Sequence, residues 1–181
     1  AGGMTISLPK EDKNYVSKSE MFENIISFLG GRVAEQLVLD DISTGASNDI
    51  QRASQIARDM VTKYGMSDAI GTVSFDTSSS EVFIGRSFAQ SRNYSEEVAG
   101  TIDREVKKII DEAYSRCTEI LEANMDKLDI VAKYLLEHET MDGNTFESVF
   151  ENPEQFLESA DNTEKPKDEQ DFTSEADEEK E

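Results

Sequence analysis

Apolar residues recur along this chain in two rhythms, and the rhythms divide it into elements. From Met21 onward they fall at Met21, Phe22, Ile25, Ile26, Phe28, Leu29, Val33, Leu37 and Val38. Steps of three and four predict a helix. The stripe covers more than half of the circumference, so the helix is expected at the centre of the fold. Ser17-Lys18-Ser19-Glu20 in front of it reads as a capping box, in which Ser17 and Glu20 satisfy each other's backbone N–H. Gly30 and Gly31 sit in mid-helix, where each costs about 1 kcal/mol against Ala. That cost predicts a close approach by another backbone. A second stripe runs through Ile50, Ala53, Ile56, Ala57, Met60, Val61 and Tyr64. Ser47 or Asn48 can cap it, and Gly65 can stop it. A third and longer stripe holds Val98, Ile102, Val106, Ile109, Ile110, Ala113, Cys117, Ile120 and Leu121. Ser95 caps it, with Glu96 and Glu97 in the first turn, and about 28 residues give a rod of about 40 Å. Asn124 can cap a fourth helix through Leu128, Val131, Ala132, Leu135 and Leu136, and Thr145 to Phe150 starts a short fifth.

Two stretches alternate with a period of two instead. Met4 to Leu8 alternates and ends at Pro9, which has no N–H and suits a sheet edge. A lone strand needs a partner, so the opening Ala1-Gly2-Gly3, without a Met, reads as a truncated N-terminus. Val73-Ser74-Phe75 and Val82-Phe83-Ile84, joined through Ser78-Ser79-Ser80, predict a small hairpin. The polar loop after it, through Arg86, Ser91 and Arg92, either contacts a substrate or is simply mobile. The expected fold is mainly α: a helical bundle with a short N-terminal edge strand, a small β-hairpin and a disordered acidic tail.

Charge sharpens the domain picture. The chain has 181 residues and a formal net charge of −21. Residues 151–181 hold thirteen Asp or Glu and three Lys, a net of −10, leaving −11 for the rest. Residues 1–150 are therefore read as the folded part and 151–181 as a disordered, self-repelling tail that solvates the protein or binds a partner. So negative a chain is not expected to bind nucleic acid or an anionic membrane surface. Cys117 is the one cysteine, so no internal disulfide forms, which fits a reducing cytoplasm. It falls on the apolar side of its helix and reads as a buried, inert thiol. No apolar run is long enough to span a membrane.

The candidate chemistry gathers at Ser43-Thr44-Gly45-Ala46-Ser47-Asn48-Asp49. At about 100° per residue, Ala53, Ile56 and Met60 lie within about 40° of Asp49. A carboxylate on the inward arc needs a partner or a proton. Three readings stay open from spacing alone: complementarity to the helix N-terminus, a buried ion pair, or a metal ligand. Arg32 and Glu35 lie on or beside the inward arc of the first helix. They form either an i,i+3 ion pair or part of a site, and the two inward faces place Glu35 and Asp49 in the same region. His138, the single histidine, stands in a last helical turn, where a cation is favoured without any site.

Several stretches together resemble the peptidase domain of the FtsH family of membrane-anchored, ATP-dependent zinc metalloproteases. They are Ala1-Gly2-Gly3-Met4-Thr5, Leu8-Pro9, Leu29 through Glu35, Ser43 through Ile50, Met60 through Ser67, Val82 through Arg86 and Ser91 through Ser95. The resemblance covers residues 1–150, in the family's order, and implies a helical peptidase-domain bundle. It implies that Asp49 is one zinc ligand, the other two being the His residues of an H-E-x-x-H helix whose Glu is the general base. It implies that Glu35 is an acid close to the metal that orients a ligand. Gly2, Gly3, Met4, Thr5 and Ile6 become the strand that lies beside a substrate peptide. No H-E-x-x-H occurs in these 181 residues, so no catalytic residue is expected within them and this chain by itself is expected to be inactive. The Gly-Lys-Ser/Thr loop of the AAA+ module, with its ATP and Mg, is likewise not in the sequence. The implied whole enzyme is a homo-hexamer that degrades membrane and cytosolic proteins at the cytoplasmic face of a bacterial inner membrane. It would be anchored by N-terminal helices outside this chain, which itself reads as soluble. The alternative is a non-catalytic helical assembly or adaptor module with an acidic tail.

Overall fold

A computed structural model describes residues 5–6, 15–75 and 94–156. They belong to two compact units, residues 1–123 and 124–181. In the first unit, α1 (Lys18–Leu39), α2 (Ser47–Thr62) and α3 (Glu96–Glu122) pack on one another pairwise. Each buries the stripe its sequence carries. α1 contributes Ile25, Leu29 and Val33, one residue per turn. α2 contributes Ala53, Ala57, Met60 and Val61, and α3 contributes Ala99, Ile102, Ala113 and Cys117. Ala53, Ala57 and Ala113 are fully buried in the shared core beside Ile25, Leu29 and Met60. Small side chains there bring the helix axes together, so larger ones from the facing helix fill the space. The margins of the stripes are less buried than the periodicity implies. Val38, Tyr64 and Ile120 are 57%, 48% and 41% exposed.

Helix ends follow local chemistry in two of three cases. Ser17 Oγ accepts from Glu20 N at 3.2 Å, and Glu20 Oε2 accepts from Ser17 N at 2.8 Å. Ser95 Oγ accepts from Val98 N at 3.3 Å. α2 differs from expectation, since neither Ser47 nor Asn48 caps it. Ala46 holds the N-cap place and makes no side-chain bond. Ala46 is buried at 7% exposure, so packing of its methyl decides where the helix starts and both polar residues fall inside it. At the other end Gly65 adopts φ +61°, and Met66 N then donates to Met60 O at 2.8 Å. Asn124 does stand at the N-cap of the fourth helix, but its side chain makes no cap bond. Its oxygen takes Lys127 Nζ at 2.9 Å instead.

The β expectations are not met: the described residues contain no strand. Thr5 and Ile6 are not in a strand, and the remainder of 4–8 lies outside the described residues. For residues 73–75 the reason is visible. Phe75 N donates to Thr62 O at 2.7 Å, so that backbone closes the C-terminus of α2 rather than joining a ladder. Residues 76–93, with the second half of the expected hairpin and the polar loop, lie outside the described residues, as does the acidic tail beyond Phe156. The expected close approach at Gly30 and Gly31 is also absent. Among the described residues no neighbouring atom comes within 4 Å of a Cβ built on either.

The second unit holds α4 (Met125–His138) and α5 (Gly143–Glu151), which pack on each other. Ile130 and Val149 are buried within it, whereas Leu135 and Leu136 are 40% and 85% exposed. Glu139 at φ +62° ends α4. Asp142 caps α5, its Oδ1 accepting from Thr145 N at 2.7 Å. That backbone donor, followed by the Thr145 hydroxyl, holds the Asp142 carboxyl below its ordinary 3.8. A carboxyl lowered by folding stabilises fully above its unfolded value and loses that contribution as pH falls through the folded one. Protection of the Thr145 amide from hydrogen exchange is therefore expected to hold at pH 5 and fade below 3.8, with Asp142→Asn showing no such step.

Candidate functional site

The site begins where α1 ends. Asp40 takes a left-handed conformation, φ +49°, and turns the chain back across the last turns of α1. Asp41 Oδ1 accepts from Ile42 N at 2.7 Å, a short-range side-chain turn. Ser43 then meets two charged side chains of α1 that stand three positions apart, Arg32 and Glu35. Arg32 Nη2 donates to Ser43 O at 2.8 Å. Ser43 N donates to Glu35 Oε2 at 3.2 Å, and Ser43 Oγ donates to Glu35 Oε1 at 2.5 Å. Gly45 N donates to Ser43 Oγ at 3.1 Å. The two charged side chains are 4.0 Å apart, at 16% and 24% exposure. The pair is an i,i+3 ion pair, and it also grips the loop that leads into α2.

The electrostatics follow from the bonds. The Ser43 hydroxyl, then the Ser43 N–H and the Arg32 guanidinium, hold the Glu35 carboxyl below its ordinary 4.5 against a smaller upward push from desolvation. Charge-assisted bonds of this kind are the stronger class. Gly45 belongs to the same cluster, because a Cβ there would stand 3.2 Å from Ser43 Oγ and 3.9 Å from Glu35 Oε1. Arg32 Nε is buried without a hydrogen-bond partner among the described residues.

Asp49 lies one turn into the helix that this loop delivers. It occupies the first turn of α2, where the dipole favours a carboxylate, and it is half-buried. Among the described residues no hydrogen bond or ion pair engages its side chain, so the buried ion-pair reading is not met there. Among the described residues, its first-turn position and its helix are what hold this oxygen donor in place.

The other candidates separate cleanly. Thr5 and Ile6 are exposed, Ile6 at 69%, while Gly2, Gly3 and Met4 lie outside the described residues. His138 sits in the last turn of α4, its ring 4.3 Å from the Tyr134 ring and its Nε2 3.8 Å from Glu137 Oε2. Cys117 is 3% exposed, and burial pushes its thiol up from the usual 9.0, which removes thiolate reactivity. Ser43 opens the candidate segment in the sequence but carried no role of its own there. The available signal was local: a Ser two positions before a Gly can turn its hydroxyl onto the backbone. Its pairing with Glu35 needs the tertiary return of the loop.

A catalytic zinc takes three protein ligands and keeps a position for water. A carboxylate is a suitable donor, so Asp49 has the right chemistry for one of the three. Among the described residues no group of three or more His, Cys, Asp or Glu side chains converges on one point.

The sequence has known relatives. Residues 1–149 match Peptidase family M41. The chain is 61% identical over 150 residues to a Thermoanaerobacter sp. (strain X514) protein named ATP-dependent zinc metalloprotease FtsH 1, covering 83% of this chain and 24% of that protein. It is 61% identical over 153 residues to the ATP-dependent zinc metalloprotease FtsH of Caldicellulosiruptor bescii, covering 84% and 25%. With the protein of the same name from Ruminiclostridium cellulolyticum the identity is 52% over 152 residues, covering 84% and 25%. The chain thus spans about a quarter of the length of the curated relatives it matches.

Proposed function

Since the chain belongs to peptidase family M41, we propose that it forms part of an ATP-dependent zinc metalloendopeptidase and that Asp49 is one of the zinc ligands. The observation that carries the reading is the family match across residues 1–149, which includes the whole segment from Arg32 to Asp49. The half-buried Asp49 carboxylate, without a hydrogen bond or ion pair among the described residues, supports it.

When bound, a catalytic zinc lowers the pKa of its water and polarises the scissile carbonyl. This chain's contribution is narrower. α2 presents the Asp49 oxygen, and Arg32, Glu35 and Ser43 hold the entry to that helix. The two histidine ligands and the general-base Glu of an H-E-x-x-H motif, together with ATP and Mg at an AAA+ module, come from the rest of the enzyme. The 181 residues alone therefore cleave no protein.

The proposal extends to the assembly. The whole enzyme is a homo-hexamer anchored at the cytoplasmic face of a bacterial inner membrane and acts on proteins as substrates. No helix among the described residues is long and apolar enough to cross a membrane. Residues 2–6 would lie beside a substrate peptide.

Asp49→Asn in the full-length enzyme tests the core of this reading. Zinc content and casein cleavage should fall by at least about a hundredfold, in line with loss of a metal-polarised water, while ATP hydrolysis persists. Proteolysis that survives the substitution would remove Asp49 from the metal site.

A further inference from the structure

We propose that Ser43 is a positioning residue: it couples the Arg32–Glu35 pair of α1 to the first turn of α2 and thereby sets where the Asp49 carboxylate stands. The functional half of this inference rests on the zinc reading above; the mechanical half does not.

Asp49 takes its place from the backbone that carries it. No hydrogen bond or ion pair among the described residues restrains its side chain. No side chain caps the start of its helix. Its position therefore follows the backbone, and the backbone is fixed at Ser43. There the N–H and the hydroxyl both donate to the Glu35 carboxylate, one to each oxygen. The carbonyl accepts from Arg32, and the hydroxyl oxygen also accepts from Gly45 N. Every hydrogen-bonding group of the residue is engaged. Two donors on one carboxylate define an orientation as well as a place.

The link onward is short and stiff. Ser47 N donates to Thr44 O at 3.1 Å and Ile50 N to Ala46 O at 3.0 Å, so hydrogen-bonded turns run from Thr44 into the helix. Ala46 is buried, and a Cβ at Gly45 would already crowd Ser43 Oγ at 3.2 Å. A shift at Ser43 has no slack segment to absorb it before Asp49. The hydroxyl is the part that matters, because it must donate to Glu35 and accept from Gly45 at once. Thr retains both capacities and Ala has neither.

Two measurements test the inference. In the 181-residue chain, amide exchange at Gly45 is read by NMR for the wild type, Ser43→Ala and Ser43→Thr. Ser43→Ala should speed it by roughly tenfold, the scale of a lost bond in a charge-assisted network, and Ser43→Thr should return it to within about twofold of wild type, keeping both bonds. Unchanged exchange in Ser43→Ala overturns the coupling. Glu35→Gln is the second variant, should Ser43→Ala fail to fold: it keeps the shape, weakens both bonds from Ser43, and should raise Gly45 exchange in the same direction.

In the full-length enzyme, zinc affinity is then measured at unchanged melting temperature. Ser43→Ala should weaken it by about 10–100-fold, the range for groups that orient a ligand, and Ser43→Thr should restore it. A purely structural role would not follow the hydroxyl in this way. If Asp49→Asn leaves zinc bound, the zinc reading falls. If Asp49→Asn releases zinc while Ser43→Ala binds it like wild type, the positioning role of Ser43 falls alone.

Discussion

Ile25→Ala should lower the stability of the three-helix unit by about 3–5 kcal/mol, the upper part of the range for truncating a fully buried aliphatic side chain. Ile25 has no exposed surface and packs in the shared core with Ala53, Ala57, Met60 and Ala113. Its neighbours decide the size of the effect. Three of them are alanines that already sit close to the helix axes, so they have no side-chain length with which to fill a cavity. Leu29 and Met60 are the larger side chains of that cluster, and the Met60 thioether can recover part of the lost contact. Urea unfolding followed by circular dichroism, with the midpoint and slope compared to wild type, reads the result. A cost below about 1 kcal/mol would mean that the core collapses around the gap and is far more plastic than its alanine seams imply.

Gly65→Ala is the second large effect, and it comes from the backbone. Gly65 holds φ +61°, a conformation that costs other residues about 1–2 kcal/mol. A Cβ there would also stand 3.0 Å from Thr72 Cα and 3.1 Å from Gly71 O. These are backbone atoms, which cannot rotate aside as a side-chain tip does. The substitution therefore adds crowding to strain and is expected to cost about 2–4 kcal/mol, well above strain alone. Gly71 supplies the control. It also has a positive φ, +72°, yet no atom of the described residues lies within 4 Å of the place its Cβ would take. Gly71→Ala should cost only the strain. Equal losses in the two variants, measured by the same urea unfolding, would show that crowding at Gly65 contributes nothing.

The two effects also bear on the site. Residues 66–75 fold back on the end of α2 through Met66 N to Met60 O and Phe75 N to Thr62 O. Ser67 Oγ ties the same segment to α3 by donating to Glu105 Oε2 at 2.6 Å. Gly65 thus holds one end of α2 as Ser43 holds the other. Loosening either end frees the helix that presents Asp49.

Much of this was legible from residues alone. The three- and four-residue spacing named four of the five helices among the described residues, because burying one face of a helix demands that periodicity whatever the partner is. Ser17 with Glu20, and Ser95 ahead of two glutamates, placed two N-termini from interactions that lie within a single turn. Gly65 as the stop for α2 is of the same kind, since its requirement is local. Asp49 could be put on the inward arc of its helix, and the family resemblance attached zinc to it. Both steps use the order of residues only.

What tertiary structure decided is what depends on residues distant in sequence. Alternation at 73–75 was a poor guide because the Phe75 N–H is taken by Thr62 at the end of a helix, a partner no period can reveal. Ala46 displaced Ser47 and Asn48 from the N-cap because its burial outweighed their polar side chains. Ser43 became the hub of the site only when the loop after α1 returned to Arg32 and Glu35, eleven and eight positions earlier. The sequence by itself determined the helices, their inward faces and the carboxylate at the head of α2, since each of these is set by neighbours within a turn or two. Only the tertiary structure decided what grips that helix, because a hydrogen bond across a loop depends on where the chain comes back.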